Sequence, residues 1–364
     1  MDLNITSTPK IKVLFDSQIY DGQEFGGISR MFVDINNEFN KSDDIESRFS
    51  VSKTKNLYLS RIEPYEYGEC DNWVLSVDML MKGDYDVFYP TLFSPYFIKF
   101  LNGKPFVMSV HDMLTEIYFP NKHDPQIKGK RELVKYAAAI EVPTEVVKKD
   151  LIRFLDVDPS KIYVVGRGLN ENFGNDVLSE RVVEGKYVLF VGKRQGYKRF
   201  DWFIKHSAPF FKNHPDIKLV CTGYDFNNEE KCLLNEYEMT DRAIAMKVND
   251  IELATLYKDA LFFVFPSECE GFGYPVLEAY KMGCIALLNN NECFKEITFG
   301  KGTFFDLKED ESNIVDVMEK TLNLTEDEKE EVLKVQYDIL SNYSAEKMTS
   351  KIKDMIMEVL SRRK

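Results

Sequence analysis

Short apolar runs alternate along nearly the whole chain with longer segments whose apolar positions recur at helical spacing. The first run, 11–15 (IKVLF), predicts a buried strand, and Ile28, Met31, Phe32, Ile35 and Phe39 then mark one face of a helix. Further strands are predicted at 48–51, 86–89, 105–110, 137–142 and 161–165, and helices at 72–81, 130–136 and 145–155. The stretch 171–185 (ENFGNDVLSERVVEG) is polar and has no clear period. After it the alternation restarts, with strands at 186–191, 218–221, 243–247, 261–265 and 284–288. Helices follow from 200 and over 228–235, 251–260, 309–322, 327–342 and 345–360.

Strands alternating with helices predict an α/β fold of parallel, doubly wound sheets. The interruption at 171–185 predicts a linker between two Rossmann-like domains, 1–175 and 186–342. Ligands of such sheets bind beyond the C-terminal strand ends. Four sequence features follow predicted strands there: the glycine loop at 25–27, His111, the loop 192–198 and the stretch 265–283. If the two domains face each other, these ends meet in one central cleft.

Composition narrows the partners. The chain has 364 residues, and 44% hydrophobic content is ample for packed cores. A net charge of −13 argues against nucleic acid. Cys70, Cys221, Cys232, Cys269, Cys284 and Cys293 form no CxxC pair, and no signal peptide is evident, which predicts reduced thiols in a cytoplasmic protein. His111, His123, His206 and His214 lack metal-ligand spacing, so no metal is expected. No apolar run approaches a membrane span.

The chemistry concentrates at 265–283, FPSECEGFGYPVLEAYKMG. A buried strand, a loop with Gly271 and Gly273, and a helix with Pro275 near its start present backbone N–H groups to an anion. Glu270 lies in the loop, and Glu278 about a turn into the helix. Ionised carboxylates only accept hydrogen bonds, which suits diol recognition, although both also fit a solvated loop and a helix N-terminus. In 192–198 (GKRQGYK), a guanidinium and an ammonium after a strand suit a diphosphate; no Walker A loop is present.

Glu270 and Glu278 match the E-x7-E motif of retaining GT-B glycosyltransferases, and PSECEGFGYPVLEAYKMGC resembles the signature of glycosyltransferase family 4, a mannosyltransferase-like group. The resemblance implies the GT-B fold, with the last helix, about 345–364, crossing back to the N-terminal domain. It implies that Glu278 binds the donor ribose and Glu270 the donor sugar, with Gly271, Phe272, Gly273, Val276 and Leu277 nearby and the backbone at Val248 against the base. Arg194 and Lys198 resemble the pair that binds the donor pyrophosphate and stabilises it on departure; Lys193 and Arg199 are the solvent-facing neighbours. The turn Phe25-Gly26-Gly27 resembles the N-domain loop near the donor phosphate, and SVHDM at 109–113 resembles a segment whose histidine, here His111, lies against the donor sugar. Asp112 orients that histidine or caps the next turn, and Glu116 is placed as an acceptor contact. VGRGLN at 165–170 looks like the family's turn before the linker, and Tyr89, standing where relatives often carry histidine, bears on acceptor specificity.

The implied activity moves a hexose from a nucleotide-diphosphate sugar, GDP-mannose before UDP-linked sugars, to a hydroxyl of a glycan or lipid-linked acceptor in surface polysaccharide or glycan synthesis. No cofactor is expected beyond the nucleotide-sugar co-substrate. Front-face and covalent routes to retention both stay open, as do a non-hydrolysing nucleotide-sugar epimerase and a non-catalytic nucleotide-sugar-binding subunit. Lys122, His123, Lys128, Lys130 and Arg131 form a local basic cluster, a solvated loop or a peripheral contact at the inner membrane face.

Overall fold

The computed structural model describes residues 9–24, 26–61, 70–119, 124–194, 196–310 and 312–363. Phe25, Lys122 and His123, singled out above, lie outside the described residues. The chain divides into two compact units, 1–168 with 345–364, and 169–344.

Unit 1 runs β1 (Ile11–Phe15), α1 (Gln18–Gly22), α2 (Gly27–Asn40), β2 (Ile45–Phe49), α3 (Asn72–Lys82), β3 (Val87–Tyr89), β4 (Val107–Ser109), α4 (Leu114–Tyr118), α5 (Pro125–Tyr136), β5 (Ala139–Val142), α6 (Glu145–Leu155) and β6 (Ile162–Val164). Its strands form two parallel three-stranded sheets, β2-β1-β3 and β4-β5-β6. A parallel bridge between Phe88 and Phe106 joins their edges. Strand alternation sends Val13 and Phe15 to one core and Leu14 to the other.

Unit 2 runs β7 (Lys186–Phe190), α7 (Phe200–Asn213), β8 (Ile217–Thr222), α8 (Asn228–Glu236), β9 (Ala243–Met246), α9 (Asp250–Asp259), β10 (Phe262–Phe265), α10 (Tyr274–Lys281), β11 (Ala286–Asn289), α11 (Glu292–Ile297), β12 (Thr303–Phe305), α12 (Ile314–Leu322) and α13 (Glu326–Leu340). Its parallel sheet has the order β12-β11-β10-β7-β8-β9. Strand order reverses between β7 and β10, which is where open α/β sheets hold their ligands. Tyr187 and Leu189 face one core of this unit, Val188 and Phe190 the other. The last helix, α14 (Ala345–Ser361), returns to unit 1 and buries Met348, Ile352, Met355, Ile356 and Val359, a single helical face, in its core.

The expected linker at 171–185 is part of unit 2 instead. Leu169, Phe173 and Val183 are buried in its core, and Leu169 bridges Ser344. The helix expected from 309 begins only at Ile314, and Glu309 pairs with Lys205 (2.9 Å) and Arg199 (3.3 Å). Among the described residues no helix is long and apolar enough to cross a membrane.

Candidate functional site

In unit 2, Lys198 follows β7 and Glu270 follows β10, one on each side of the strand-order reversal. They meet as an ion pair, Nζ to Oε1 2.5 Å. The Lys198 ammonium also stands 4.5 Å from the centre of the Phe265 ring. The buried Ser267 hydroxyl donates to the same Glu270 oxygen. The loop is anchored from behind, since the side-chain amides of Asn289 and Asn291 donate to the Ser267 carbonyl at 3.0 and 2.9 Å. The Glu268 N–H donates to the Tyr197 carbonyl at 2.7 Å, tying the β7 loop to the β10 loop. Apolar strands, glycine turns and amide anchors thus hold one cation and one carboxylate together at the C-terminal ends of two central strands.

Glu278 sits on α10, 4% exposed, and accepts from the Tyr257 hydroxyl at 3.3 Å. Val276 and Leu277 are core residues on the same helix, fully buried, and the Val276 N–H is taken by the Gly273 carbonyl at 2.9 Å. The expectation that they line a donor site is therefore corrected for their side chains, which the α10 stripe directs into the core. Gly273 holds φ at 122°, and a Cβ there would stand 3.2 Å from Phe294. Its missing side chain serves the turn and the packing. Phe272 is likewise 5% exposed, and its carbonyl accepts from Cys293 Sγ. Val248 is half-buried between β9 and α9, packed against the same core.

Arg194 is not where a diphosphate fork is expected. Its side chain is 6% exposed, and its Nε and Nη2 hold the two carboxylate oxygens of Glu230 at 3.0 and 3.2 Å. Nη2 also donates to the Tyr224 and Asp225 carbonyls at 2.5 and 3.2 Å, and the guanidinium stacks 4.8 Å from the Phe226 ring centre. Glu230 closes the capping box of α8 with Asn227, so Arg194 secures a helix start. Nη1 lies 3.6 Å from the position of a Cβ on Gly223, just after β8, whose φ of 122° admits no side chain comfortably. Arg199, expected in solvent, pairs with Glu268 at 3.6 Å and with Glu309.

In unit 1, Gly26 precedes α2 with extended backbone (φ 163°), and Gly27 is the first helical residue. The Gly26 carbonyl accepts from the Arg30 N–H at 3.1 Å and from the Ser29 hydroxyl at 3.0 Å. His111 follows β4, half-buried, with the Phe32 ring edge-on at 6.3 Å. Its Nδ1 lies 3.2 Å from Nη2 of Arg167. Arg167 Nη1 donates to Glu141 Oε2 at 2.8 Å, and Tyr89 Oη donates to Glu141 Oε1 at 3.3 Å. Tyr89 also shares a 2.8 Å hydrogen bond with Ser109. Burial, then Arg167, then Lys130 hold the imidazole well below its ordinary pKa.

Two expectations change here. Tyr89 is fully buried, so it meets no acceptor. Asp112 caps the following turn, accepting from the Leu114 N–H at 3.1 Å, and the group facing Nδ1 of His111 is Arg167. Sequence reasoning missed Glu141 and Arg167; a charge inside an apolar strand run was the signal available. The basic cluster also thins. Lys130 is buried, paired with Glu116 at 2.9 Å, and only Lys128 and Arg131 of the cluster's described members are exposed. Glu116, expected to touch an acceptor, is itself buried in that pair.

Residues 176–334, less than half of the chain, match the family model described as glycosyl transferases group 1. The O-antigen chain mannosyltransferase RfbU of Salmonella typhimurium is 25% identical over 194 residues, 52% of this chain and 53% of that protein. A GDP-mannose:cellobiosyl-diphosphopolyprenol alpha-mannosyltransferase of Xanthomonas campestris is 24% identical over 237 residues, 63% of this chain and 60% of that one. The chain spans about half the length of the first curated relatives it matches, 53% and 49%. Among solved structures, Anabaena HepE in complex with UDP and glucose superposes with a TM-score of 0.73 at 13% identity, covering 96% of this chain and 100% of that one. A sucrose-phosphate synthase from Thermosynechococcus elongatus does so with 0.75 at 12% identity, covering 97% and 100%. The chain therefore has the GT-B fold, and the site-bearing part of unit 2 lies in the segment that matches the group 1 glycosyl transferase model.

Proposed function

We propose that this protein is a retaining glycosyltransferase that moves a hexose from a nucleotide-diphosphate sugar to a hydroxyl of a glycan or lipid-linked acceptor. The observation that carries the reading is the Lys198–Glu270 pair astride the strand-order reversal of unit 2, inside the segment that matches the family model. In this reading the donor diphosphate displaces Glu270 from Lys198. The ammonium then neutralises charge on the departing nucleotide diphosphate, and the released carboxylate accepts from hydroxyls of the sugar. Glu278 accepts from the ribose. In the transfer step His111, kept neutral, serves as a hydrogen-bond donor. Arg194 acts at one remove, by holding the start of α8 through Glu230 beside the strand ends.

GDP-mannose is the first donor to test, because two of the relatives are named mannosyltransferases and one of these names GDP-mannose. UDP-sugars come second, since HepE is solved with UDP and glucose. Thermal unfolding in the presence of each nucleotide sugar tests the reading. A donor at a hundred times its Kd stabilises by about 2.7 kcal/mol. Release of free nucleotide diphosphate with a glycoside product, anomeric configuration kept, completes the test. No shift and no transfer with any donor would overturn it. A place at the inner membrane face would rest on Lys128 and Arg131, and co-sedimentation with anionic vesicles tests that separately.

A further inference from the structure

A charged side chain inside a strand needs a reason. Glu141 is fully buried in the middle of β5, and its partner Arg167 is 3% exposed. Such a pair adds little stability over apolar residues of the same size. It does add geometry. Arg167 Nη1 is fixed by Glu141 Oε2 and by the Gly166 carbonyl, each at 2.8 Å, and the other Glu141 oxygen is held by Tyr89. That leaves Nη2 aimed at His111 Nδ1 from 3.2 Å. A guanidinium only donates and is always charged. Nδ1 must therefore accept, and the single proton of the neutral ring must sit on Nε2.

We propose that Arg167, locked by Glu141, is a positioning residue that fixes His111 as the Nε2–H tautomer and so makes it a hydrogen-bond donor. The proposal rests on the reading that assigns His111 to sugar transfer. The charges facing the ring are Arg167 and Lys130, both cationic, each with its own buried carboxylate, Glu141 and Glu116. Both cations disfavour protonation of the imidazole, and the edge of Phe32 closes the side formed by α2.

The test compares Arg167→Met, which removes the donor, with Arg167→Lys, which keeps a donor-only cation. The chain has only four histidines, so the His111 ring nitrogens can be assigned by 15N NMR with a His111→Gln reference. In the wild type and in Arg167→Lys the spectrum should show Nε2–H across about pH 6 to 8. In Arg167→Met the Nδ1–H form should appear, and the ring should titrate closer to about 6.5. Turnover of Arg167→Met should fall about a hundredfold, with donor KM changed less than about threefold, and Arg167→Lys should recover most of it. An unchanged tautomer and titration in Arg167→Met would overturn the proposal. A changed tautomer with wild-type turnover would uphold the positioning and overturn the assignment of His111 to transfer. The double variant Arg167→Met/Glu141→Leu removes both charges together and carries the same readout should the single variant not fold.

Discussion

The Lys198–Glu270 pair of unit 2 and the Arg167–Glu141 pair of unit 1 differ in one respect that decides their use. In unit 2 the side chains of Lys198 and Glu270 are 12% and 11% exposed. In unit 1 those of Arg167 and Glu141 are 2% and 0% exposed. A pair that water still reaches can trade its partner for a phosphate at modest cost, because the ions never lose all solvation. A pair sealed in the core cannot exchange without leaving a bare charge behind. The first suits a ligand site, and the second suits a fixed support for a neighbouring ring. Arg194–Glu230, at 6% and 9%, belongs with the second kind although it lies beside the first.

The sharpest way to break this comparison is Lys198→Ala. Turnover should fall by about 10²- to 10³-fold, with the melting temperature close to wild type. Steady-state kinetics beside calorimetry separates the two, and a large loss of stability with normal turnover would erase the distinction. Arg194→Ala should do the reverse in kind, lowering stability by about 3 kcal/mol because Glu230 is left buried and unpaired. Denaturant titration reads this directly. A fold of wild-type stability with dead chemistry would return Arg194 to the diphosphate.

How much of this was legible beforehand follows from range. The unit around 265–283 is local, since an apolar run, two glycines and a proline fix strand, turn and helix within a score of residues. The buried pairs are not local. Arg194 finds Glu230 across 36 positions, and Arg167 finds Glu141 across 26. No periodicity announces such a meeting, so Arg194 read as a ligand fork and Arg167 as part of a turn. Short elements were lost for a related reason: α11 and β12 are too brief to show a period, and β2 begins three residues before the expected 48 because its charged positions mask the alternation.

Two smaller effects sharpen the contrast. Glu278→Ala should weaken donor affinity by about 1.5–3 kcal/mol, the range for hydrogen bonds to a charged group, with isothermal calorimetry as the measurement. Unchanged affinity would remove Glu278 from the ribose. Tyr89→Phe should cost about 1–2 kcal/mol of stability, since it deletes a buried hydroxyl between Ser109 and Glu141. Acceptor preference should not move, because the ring is fully buried. A changed preference, seen by product analysis, would restore the specificity role expected from sequence.

The return of α14 to unit 1 has a consequence for how the protein is made. Unit 2 is one unbroken stretch, 169–344, whereas unit 1 draws on both 1–168 and 345–364. Translation delivers the chain from the N-terminus, and domains fold as units once their residues have emerged. The second unit therefore has all its residues before the first does. Until Met348, Ile352 and Met355 leave the ribosome, the apolar face they cover in unit 1 stays open to water. Unit 1 therefore begins before unit 2 and closes after it, with the face that α14 covers left open through the synthesis of the whole second unit.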